Sequence, residues 1–598
     1  MKSAVFLGLA ALCARVAAAD IQYSVIAFPQ GSQKVGVSVN GQIHPLSSSS
    51  EHPNLYKGTG PSGEAYQYVL TGDAGGANIV ESTQRKLAAG AALTGNEFFN
   101  RTQSVYNVPE LPKAFNPIYP PLYSGMSRSN EIATILLDAN MTGFNAILTN
   151  PKGQHDYTEV YKMTYITNRE LYSFDLAGIK NSGQSSKDFA KQSYKIKLSK
   201  FSKENKKELL FGRTTLKLRA HETDPTYIRE KLMMDCLAAS GAATLSGSWV
   251  RLIVNNEPFG LYLMIDDATT SFIDNALHAG DYSYKNTGPT YKGNAMTPQD
   301  EGNLVYHGDD VSLYPDSQYK LQDKGNLGKE FTAEVEKQPL IEFTRSLSQI
   351  DPVRGDLSTL IDPEHLMVHM ALNFLSGSWD GFWYQASNYY LNQDLGSKKW
   401  TLISYDFDEV FGVGALPGMI STTYTNYSRP DSQRPLIDAI LKSETYRPRF
   451  ETILKTIVKR FFKPAVMVPR IEAWHQMLRE DVMWDISIPT KSPGMNSTWT
   501  LWNFDHNMKE TDGQVTGLAE WIQLRSAALQ QQLGFTDEDD LPQLEPYSGG
   551  KQWDQNNYEP APKTTDKKPE NAGSISYPNT ARIALATVVM TLAHQLLL

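Results

Sequence analysis

The chain has 598 residues, 41% hydrophobic, 20% charged and 11% aromatic. This is an ordinary globular composition, too long for one core, so two or more domains are expected. The net charge of -9 argues against a sequence-independent grip on nucleic acid, which needs clustered Lys and Arg, and no nucleic-acid partner is expected.

Residues 1–19 combine a basic start, an apolar middle and small residues before Asp20, the pattern of a secretory signal peptide. Cys13 leaves with it, so Cys236 stands alone and no intrachain disulfide can form in the processed chain. Residues 20–105 alternate apolar and polar side chains between Asn-Gly and Gly-rich breaks, which predicts a small all-β sandwich domain. Within it "GTGPSG" (Gly58, Gly60, Gly63) matches the form of a phosphate loop. No helix follows, so it is read as a turn.

A Pro-rich linker occupies 106–125. Over 126–270 strand-like runs dominate, with a helix opening at "DPTYIREKLMMDCLAAS". There Asp224 is the expected N-cap, Pro225 takes the first helical position, and Ile228, Leu232 and Cys236 form an apolar stripe. "VRLIVNNEPFGLYLMID" then reads as a hairpin. Residues 271–535 are mainly helical, and "DPEHLMVHMALNFLSG" has Asp-Pro at its start and Gly377 at its end. His365 and His369 lie four apart in that helix, but "HLMVH" lacks the Glu of a zinc-protease motif and they are read as surface or core residues.

Residues 536–571 are polar and Pro-rich, the composition of a disordered stalk. Small residues Asn571 to Gly573, a polar spacer and an apolar tail follow. They predict a GPI-attachment signal over 572–598 with Asn571 as the attachment residue, and hence a link to the outer membrane leaflet. The tail is about 16 residues against the ~20 needed to span a bilayer. Sequons at Asn100, Asn140, Asn426 and Asn496 agree with secretion and are the expected glycosylation sites.

The chemistry-bearing stretch is "YDFDEVFG", Tyr405 to Gly412, where Asp406, Asp408 and Glu409 follow the apolar run "WTLIS". Carboxylates beside a buried strand are costly unless paired, protonated or bound to a cation. The order before it is a helix ending at Gly377, a loop with Asp380 and Asn388, and a hairpin, "NYYLNQ" to "KKWTLIS". Protein kinases order their parts in this way, with one Asp orienting the attacking hydroxyl and an Asn and a second Asp holding Mg²⁺. In an extended segment Asp406 and Asp408 would point the same way, Phe407 would turn into the core, and Glu409 would be solvated. Upstream, Lys191, Lys195 and Lys197 fall on one face of a strand-like run before the helix carrying Glu230, as a phosphate-binding Lys precedes its orienting Glu.

"FAKQSYKIKL", "RAHETDPTYIREKL", "IVNNEPFGLYLMIDD", "WDGFWYQASNYYL" and "WTLISYDFDEVFG" together resemble the CotH family, the spore-coat protein H-like kinases. The layout resembles the GPI-anchored cell-surface CotH proteins of Mucorales fungi. The resemblance implies an α+β fold, an atypical protein-kinase-like bilobal domain with an N-lobe over 126–270 and a C-lobe over 271–535. It also implies ATP with Mg²⁺ (or Mn²⁺) and phosphorylation of Ser/Thr on secreted or surface proteins. Carried over by motif, Asp380 is the catalytic Asp and Asp406 the principal metal ligand. Asn388 and Asp408 are secondary ligands, and the phosphate-binding Lys is one of Lys191, Lys195 and Lys197, with Lys191 the first choice, Glu230 as its partner and Glu222 as a competitor. The family usually has Asn-Gly at the hairpin turn and Glu after its second strand. This chain has Asn255-Asn256 and Asp266, and a nucleotide contact is assigned to Asp266. The spacing from Asp380 to Asn388 is eight, longer than the five of ordinary kinases. Two functions are expected from the resemblance: a secreted or cell-surface kinase, and a GPI-anchored adhesin or invasin that binds host cell receptors on the same fold.

Overall fold

The computed structural model describes residues 20–553 except 73–75, 204–207, 417 and 514. The expected signal peptide, the GPI signal with Asn571, and the stalk beyond residue 553 lie outside them. The chain divides into two compact units, 1–104 and 105–598.

In the first unit the sheets are built from β1 (Asp20–Ile26), β2 (Lys34–Val39), β3 (Gln42–Leu46), β4 (Leu55–Pro61), β5 (Tyr66–Thr71), β6 (Ile79–Val80) and β7 (Glu97–Phe98). One sheet runs β4-β1-β7, the other β3-β2-β5-β6. Alternate residues of both, Tyr23, Val25, Val37 and Tyr68 among them, share one core. Gly58 lies inside β4, where a Cβ would stand 2.8 Å from Pro45 O. It serves close backbone approach rather than phosphate binding.

The second unit begins with β8 (Leu122–Tyr123), β9 (Ala133–Ala139), α1 (Met141–Thr149), β10 (Thr158–Ile166), β11 (Leu171–Ser182), β12 (Ser193–Lys197), β13 (Thr215–Arg219), α2 (Arg229–Ala239), β14 (Gly247–Val254) and β15 (Glu257–Asp266). A closed barrel forms in the order β10-β11-β12-β13-β15-β14-β9. Tyr194, Ile196, Leu216 and Leu218 fill it, so the two-residue alternation sends Lys195, Lys217 and Arg219 outward. The β14–β15 turn is Asn255-Asn256, both at positive φ, the geometry a tight two-residue hairpin requires.

After the barrel come α3 (Thr270–Leu277), β16 (Thr287–Gly293), β17 (Tyr319–Asp323), α4 (Gln338–Gln349), α5 (Pro363–Ser376), α6 (Phe382–Gln385), β18 (Tyr389–Asp394) and β19 (Trp400–Ser404). Then follow α7 (Pro435–Leu441), α8 (Tyr446–Arg460), α9 (Pro464–Ser487), α10 (Leu501–Asn507), α11 (Leu518–Leu533) and β20 (Lys551–Gln552). A four-stranded sheet runs β17-β16-β18-β19. One large core joins it to α2, α5, α8, α9 and α11. The protein is thus mixed α and β, strand-rich first and helix-rich later.

Residues 537–540, in the stretch expected to be stalk, lie along the end of α8. Arg460 pairs with Asp539, Lys459 with Asp540, and Lys463 bonds Asp537 O. β20 then pairs with β8.

Helix α5 starts and stops as its sequence predicts. The Asp362 carboxylate accepts the His365 N–H, Pro363 opens the first turn, and Gly377 ends it at φ 65. Helix α2 differs: it starts at Arg229, not at Asp224. The Asp224 carboxylate accepts N–H bonds from Thr226, Ile228 and Arg229 and pairs with the Arg229 guanidinium at 2.7 Å. Tyr227, at φ 60, cannot be helical.

His365 and His369 are core residues. The Ala243 N–H donates to His365 Nε2 at 3.1 Å, and His369 Nε2 lies 3.1 Å from Ala243 O. Burial pushes His365 down to about 4 and holds His369 below its ordinary value. The unfolded chain therefore binds protons below its pKa of ~6.5 that the folded chain refuses. The stability from neutral His365 is complete above that pH and is lost as pH falls toward about 4. Between pH 7 and pH 5 this amounts to about 2 kcal/mol. In His365→Gln, denaturant midpoints at the two pH values should differ less than in wild type. An equal difference would show that the imidazole is not held neutral.

Candidate functional site

The acid-bearing loops meet outside the barrel. α5 delivers Asp380 in the turn before α6, and the β18–β19 hairpin delivers Asp406 and Asp408. β19 ends at Ser404 and Asp406 has φ 63, so the segment is not extended as expected. Phe407 is nevertheless buried, and both aspartates converge on one cation, Arg219 of β13. Arg219 Nη2 touches Asp406 Oδ1 and lies 3.1 Å from Asp408 Oδ1, while its Nε donates to Glu230 Oε2 at 3.0 Å. Thr223 Oγ1 donates to Asp408 Oδ2 at 2.9 Å. Asn388, at φ 54, turns its Nδ2 to Asp380 Oδ2 at 2.6 Å, which closes the eight-residue spacing.

Too many carboxylates crowd here for all to ionise easily. Burial, then Asp406 and Asp408, push Asp380 up to about 7. Burial, then Asp408, Asp380 and Asp406, push Glu409 up to about 8, so Glu409 belongs to the cluster and is not the solvated residue expected. Burial lifts Glu230 to about 7 against the pull of Arg219. For Asp406 burial is outweighed by Arg219, Lys217 and Lys292, which hold it down to about 2. Its environment therefore separates it from Asp380, one ionised and one poised near neutrality.

The basic side of the site is a row that sequence reasoning found only in part. Lys180, Lys195 and Lys217 occupy one register row across β11, β12 and β13. Lys195 pairs with Asp267 at 2.8 Å. Among the described residues Lys217 and Lys292 make no ion pair, though both act on Asp406. Like charges directly opposite on adjacent strands are destabilising. Period-2 alternation of Leu216, Lys217, Leu218 and Arg219 marks β13 as the strand that points cations outward, and this signal was available in the sequence.

Lys191 is a correction. It precedes β12 instead of lying on it, and its Nζ reaches Asp485 at 2.7 Å and Leu261 O at 2.8 Å on the side facing α9. The expected Lys191–Glu230 pair is not formed, because Glu230 is bound to Arg219. Glu222, pushed up to about 7 by burial, lies with Lys191 and Asp485. Asp266 is held by Arg213 at 2.7 Å and by the Ser246 N–H. It lines a cleft of about 700 Å³ shared with the linker residues Tyr106, Tyr119 and Tyr123, rather than meeting the acid cluster. Asn100, Asn426 and Asn496 are exposed, while the half-buried Asn140 caps α1 through Thr142 N–H.

The oxygen-rich donor set of Asp380, Asn388, Asp406 and Asp408 has the chemistry of a Mg²⁺ or Mn²⁺ site. With Arg219 between the aspartates, no group of three His, Cys, Asp or Glu side chains is gathered for a metal ion among the described residues. Three buried polar atoms, Glu230 Oε1, Tyr405 Oη and Asp406 Oδ1, have no hydrogen-bond partner among the described residues, the last meeting Arg219 as an ion pair only.

Residues 179–529 match the family model described as CotH kinase protein. Over 87% of this chain, the sequence is 29% identical to "Invasin CotH7" and 27% identical to "Spore coat protein homolog 1", both of Rhizopus delemar, covering 84% and 83% of those proteins. It is 20% identical to "Inner spore coat protein H" of Bacillus subtilis over 51% of this chain and 76% of that one.

The raised Asp380 carries a stability prediction. A carboxyl lifted to about 7 when folded costs stability as pH rises from the unfolded value of ~3.9 through that point. Without added metal, Asp380→Asn should therefore unfold at higher denaturant than wild type at pH 7.5, by on the order of 2 kcal/mol. The gain should shrink at pH 5. No gain at pH 7.5 would mean that the acids do not repel one another in the folded protein.

Proposed function

The chain belongs to the CotH kinase protein family, and we propose that it is an atypical Ser/Thr protein kinase that transfers the ATP γ-phosphoryl group to hydroxyls of secreted or surface proteins. The single observation that carries this reading is the apposition of the acid cluster, Asp380, Asn388, Asp406 and Asp408, to the cations Arg219, Lys217 and Lys292. In the bilobal reading the barrel is the phosphate-facing lobe and the helical part the acid-bearing lobe.

Asp406 and Asp408, with Asn388, would hold Mg²⁺ or Mn²⁺. Lys195 and Lys217 with Lys292 would face phosphate oxygens, and a negative ligand there would relieve the repulsion within the row. Lys191 and Asp266, already committed to Asp485 and Arg213, have no part in this reading. When bound, the metal nucleotide supplies the phosphoryl group and neutralises its charge. The rest is positioning. Asp380, held by the Asn388 amide and poised near neutrality, would accept the proton of the acceptor hydroxyl, which suits a general base at physiological pH.

A second reading concerns where the chain acts. The match to relatives named as invasins and as a spore coat protein covers more of the chain than residues 179–529. It supports a surface or spore-coat location and an invasin role toward host cell receptors, with the predicted GPI signal as the tether. The two readings are compatible, because fold does not fix function.

Thermal shift with ATP and Mn²⁺ tests the nucleotide site. At a hundredfold excess over Kd, ligand binding adds about 2.7 kcal/mol, and Asp406→Ala should abolish the shift. Purified protein should also transfer labelled phosphate from ATP to protein, and Lys217→Met should raise the KM for ATP more than it lowers kcat. Equal labelling by wild type and Asp406→Ala would overturn the kinase reading. For the surface reading, removal of the protein from the cell surface should reduce attachment to host cells, and unchanged attachment would overturn it.

A further inference from the structure

Arg219 touches three carboxylates at once. Its Nη2 lies against Oδ1 of Asp406 and 3.1 Å from Oδ1 of Asp408, and its Nε lies 3.0 Å from Oε2 of Glu230. A single nitrogen thus joins one oxygen of each aspartate, the relation a divalent cation makes when it bridges two carboxylates. The guanidinium and such a cation cannot share that place.

A second observation is independent of the aspartates. Glu230 is 1% exposed, and its Oε1 has no hydrogen-bond partner among the described residues. A buried carboxylate oxygen without a donor is costly. Arg and carboxylate pair best through two parallel N–H···O bonds. Glu230 receives only one prong of the Arg219 fork, because the other is spent on Asp406 and Asp408. Glu230 Oε1 is left without a donor, and that second prong is the donor that would satisfy it.

We propose that Arg219 stands in for the divalent cation between Asp406 and Asp408, and that cation binding moves its Nη2 to Glu230 Oε1 to complete a bidentate pair. The proposal rests on the reading of the two aspartates as cation ligands. Nε keeps its bond to Glu230 Oε2 throughout, so the motion is confined to the end of the side chain. Replacing one positive charge by two at the aspartates also compensates the neighbouring Asp380 and Glu409. Glu230 is then a positioning residue. It sets cation affinity without touching the cation, by giving Arg219 a place to go.

The test uses the full chain with Mn²⁺ as probe and no nucleotide, and counts free Mn²⁺ by electron paramagnetic resonance. Glu230→Gln removes the receiving charge and should weaken Mn²⁺ binding by about ten-fold, the range seen when groups supporting metal ligands are changed. Arg219→Gln removes the competitor and should tighten binding by about ten-fold. In the double variant the Glu230→Gln effect should vanish, the coupling expected when one residue acts through another. An equal Glu230→Gln effect in both backgrounds, or no tightening by Arg219→Gln, overturns the proposal and leaves the cation site standing. Mn²⁺ binding that is absent from both wild type and Arg219→Gln, or unchanged by Asp406→Ala, overturns the cation-ligand reading itself. If Arg219→Gln does not fold, judged by near-ultraviolet circular dichroism, Arg219→Met serves. It likewise removes the competing charge and should abolish the Glu230→Gln effect.

Discussion

The site depends on one buried guanidinium. Arg219 is 7% exposed, and removing a charge from water costs several kcal/mol unless partners replace the solvent. Arg219 stands on β13, and its partners come from two other places: Glu230 at the start of α2, and Asp406 with Asp408 after β19. A side chain that must meet three carboxylates fixes the barrel, the helix and the hairpin against one another. Breaking such a buried pair by removing one member typically costs about 3–5 kcal/mol, since the survivor is left charged and unpaired.

That requirement explains the unusual entry into α2. Arg229 and Glu230 are neighbours with opposite tasks. The fully buried Arg229 binds Asp224, Phe411 O, Asn507 and Thr516 O, which ties the helix start to the segment just after the acids. Glu230 turns the other way to Arg219. A helix opened at Asp224 would have spent that carboxylate on its own first turn and left Arg229 without it. The same logic recurs between the barrel and α9, where Arg251 forks onto Asp481 at 2.6 and 2.7 Å and Lys191 reaches Asp485. Lys191 is therefore an anchor between elements. Arg525 does related work with carbonyls alone, those of Phe374, Met419, Ile420 and Thr422. Without a carboxylate, burial lowers it to about 10.

Much of this was legible beforehand where the signal is local. The Asp362-Pro363 start and Gly377 end of α5, the Asn255-Asn256 hairpin and the strand pair around residues 389–404 follow from caps, turns and alternation acting over a few residues. Order along the chain singled out Asp380, Asn388, Asp406 and Asp408, and the structure pairs Asn388 with Asp380 and joins Asp406 and Asp408 through Arg219. Two expectations, the Lys191–Glu230 pair and a solvated Glu409, failed where long-range charge decides. Lys191 and Lys195 look alike in sequence, yet one pairs with Asp485 of α9 and the other with Asp267 after β15, because β12 begins only at Ser193. Glu409 looks like a solvated strand end until Asp380 is brought beside it. Lys217, Arg219 and Lys292 passed without notice: alternation along β13 shows that Lys217 and Arg219 point outward, but not that acids from distant segments meet them there.

The sequence by itself determined the family, the mixture of strands and helices, and the chain order of the acids, because periodicity, capping and motif order are properties of neighbouring residues. Which cations meet those acids was decided only by the tertiary structure. The closure of the barrel sets the register of β11, β12 and β13, and that register aligns Lys180, Lys195 and Lys217 and carries Arg219 to Asp406. Burial then turns ordinary charges into partners that cannot be left alone. Register and burial arise between segments nearly two hundred residues apart, so no stretch of the chain read singly contains them.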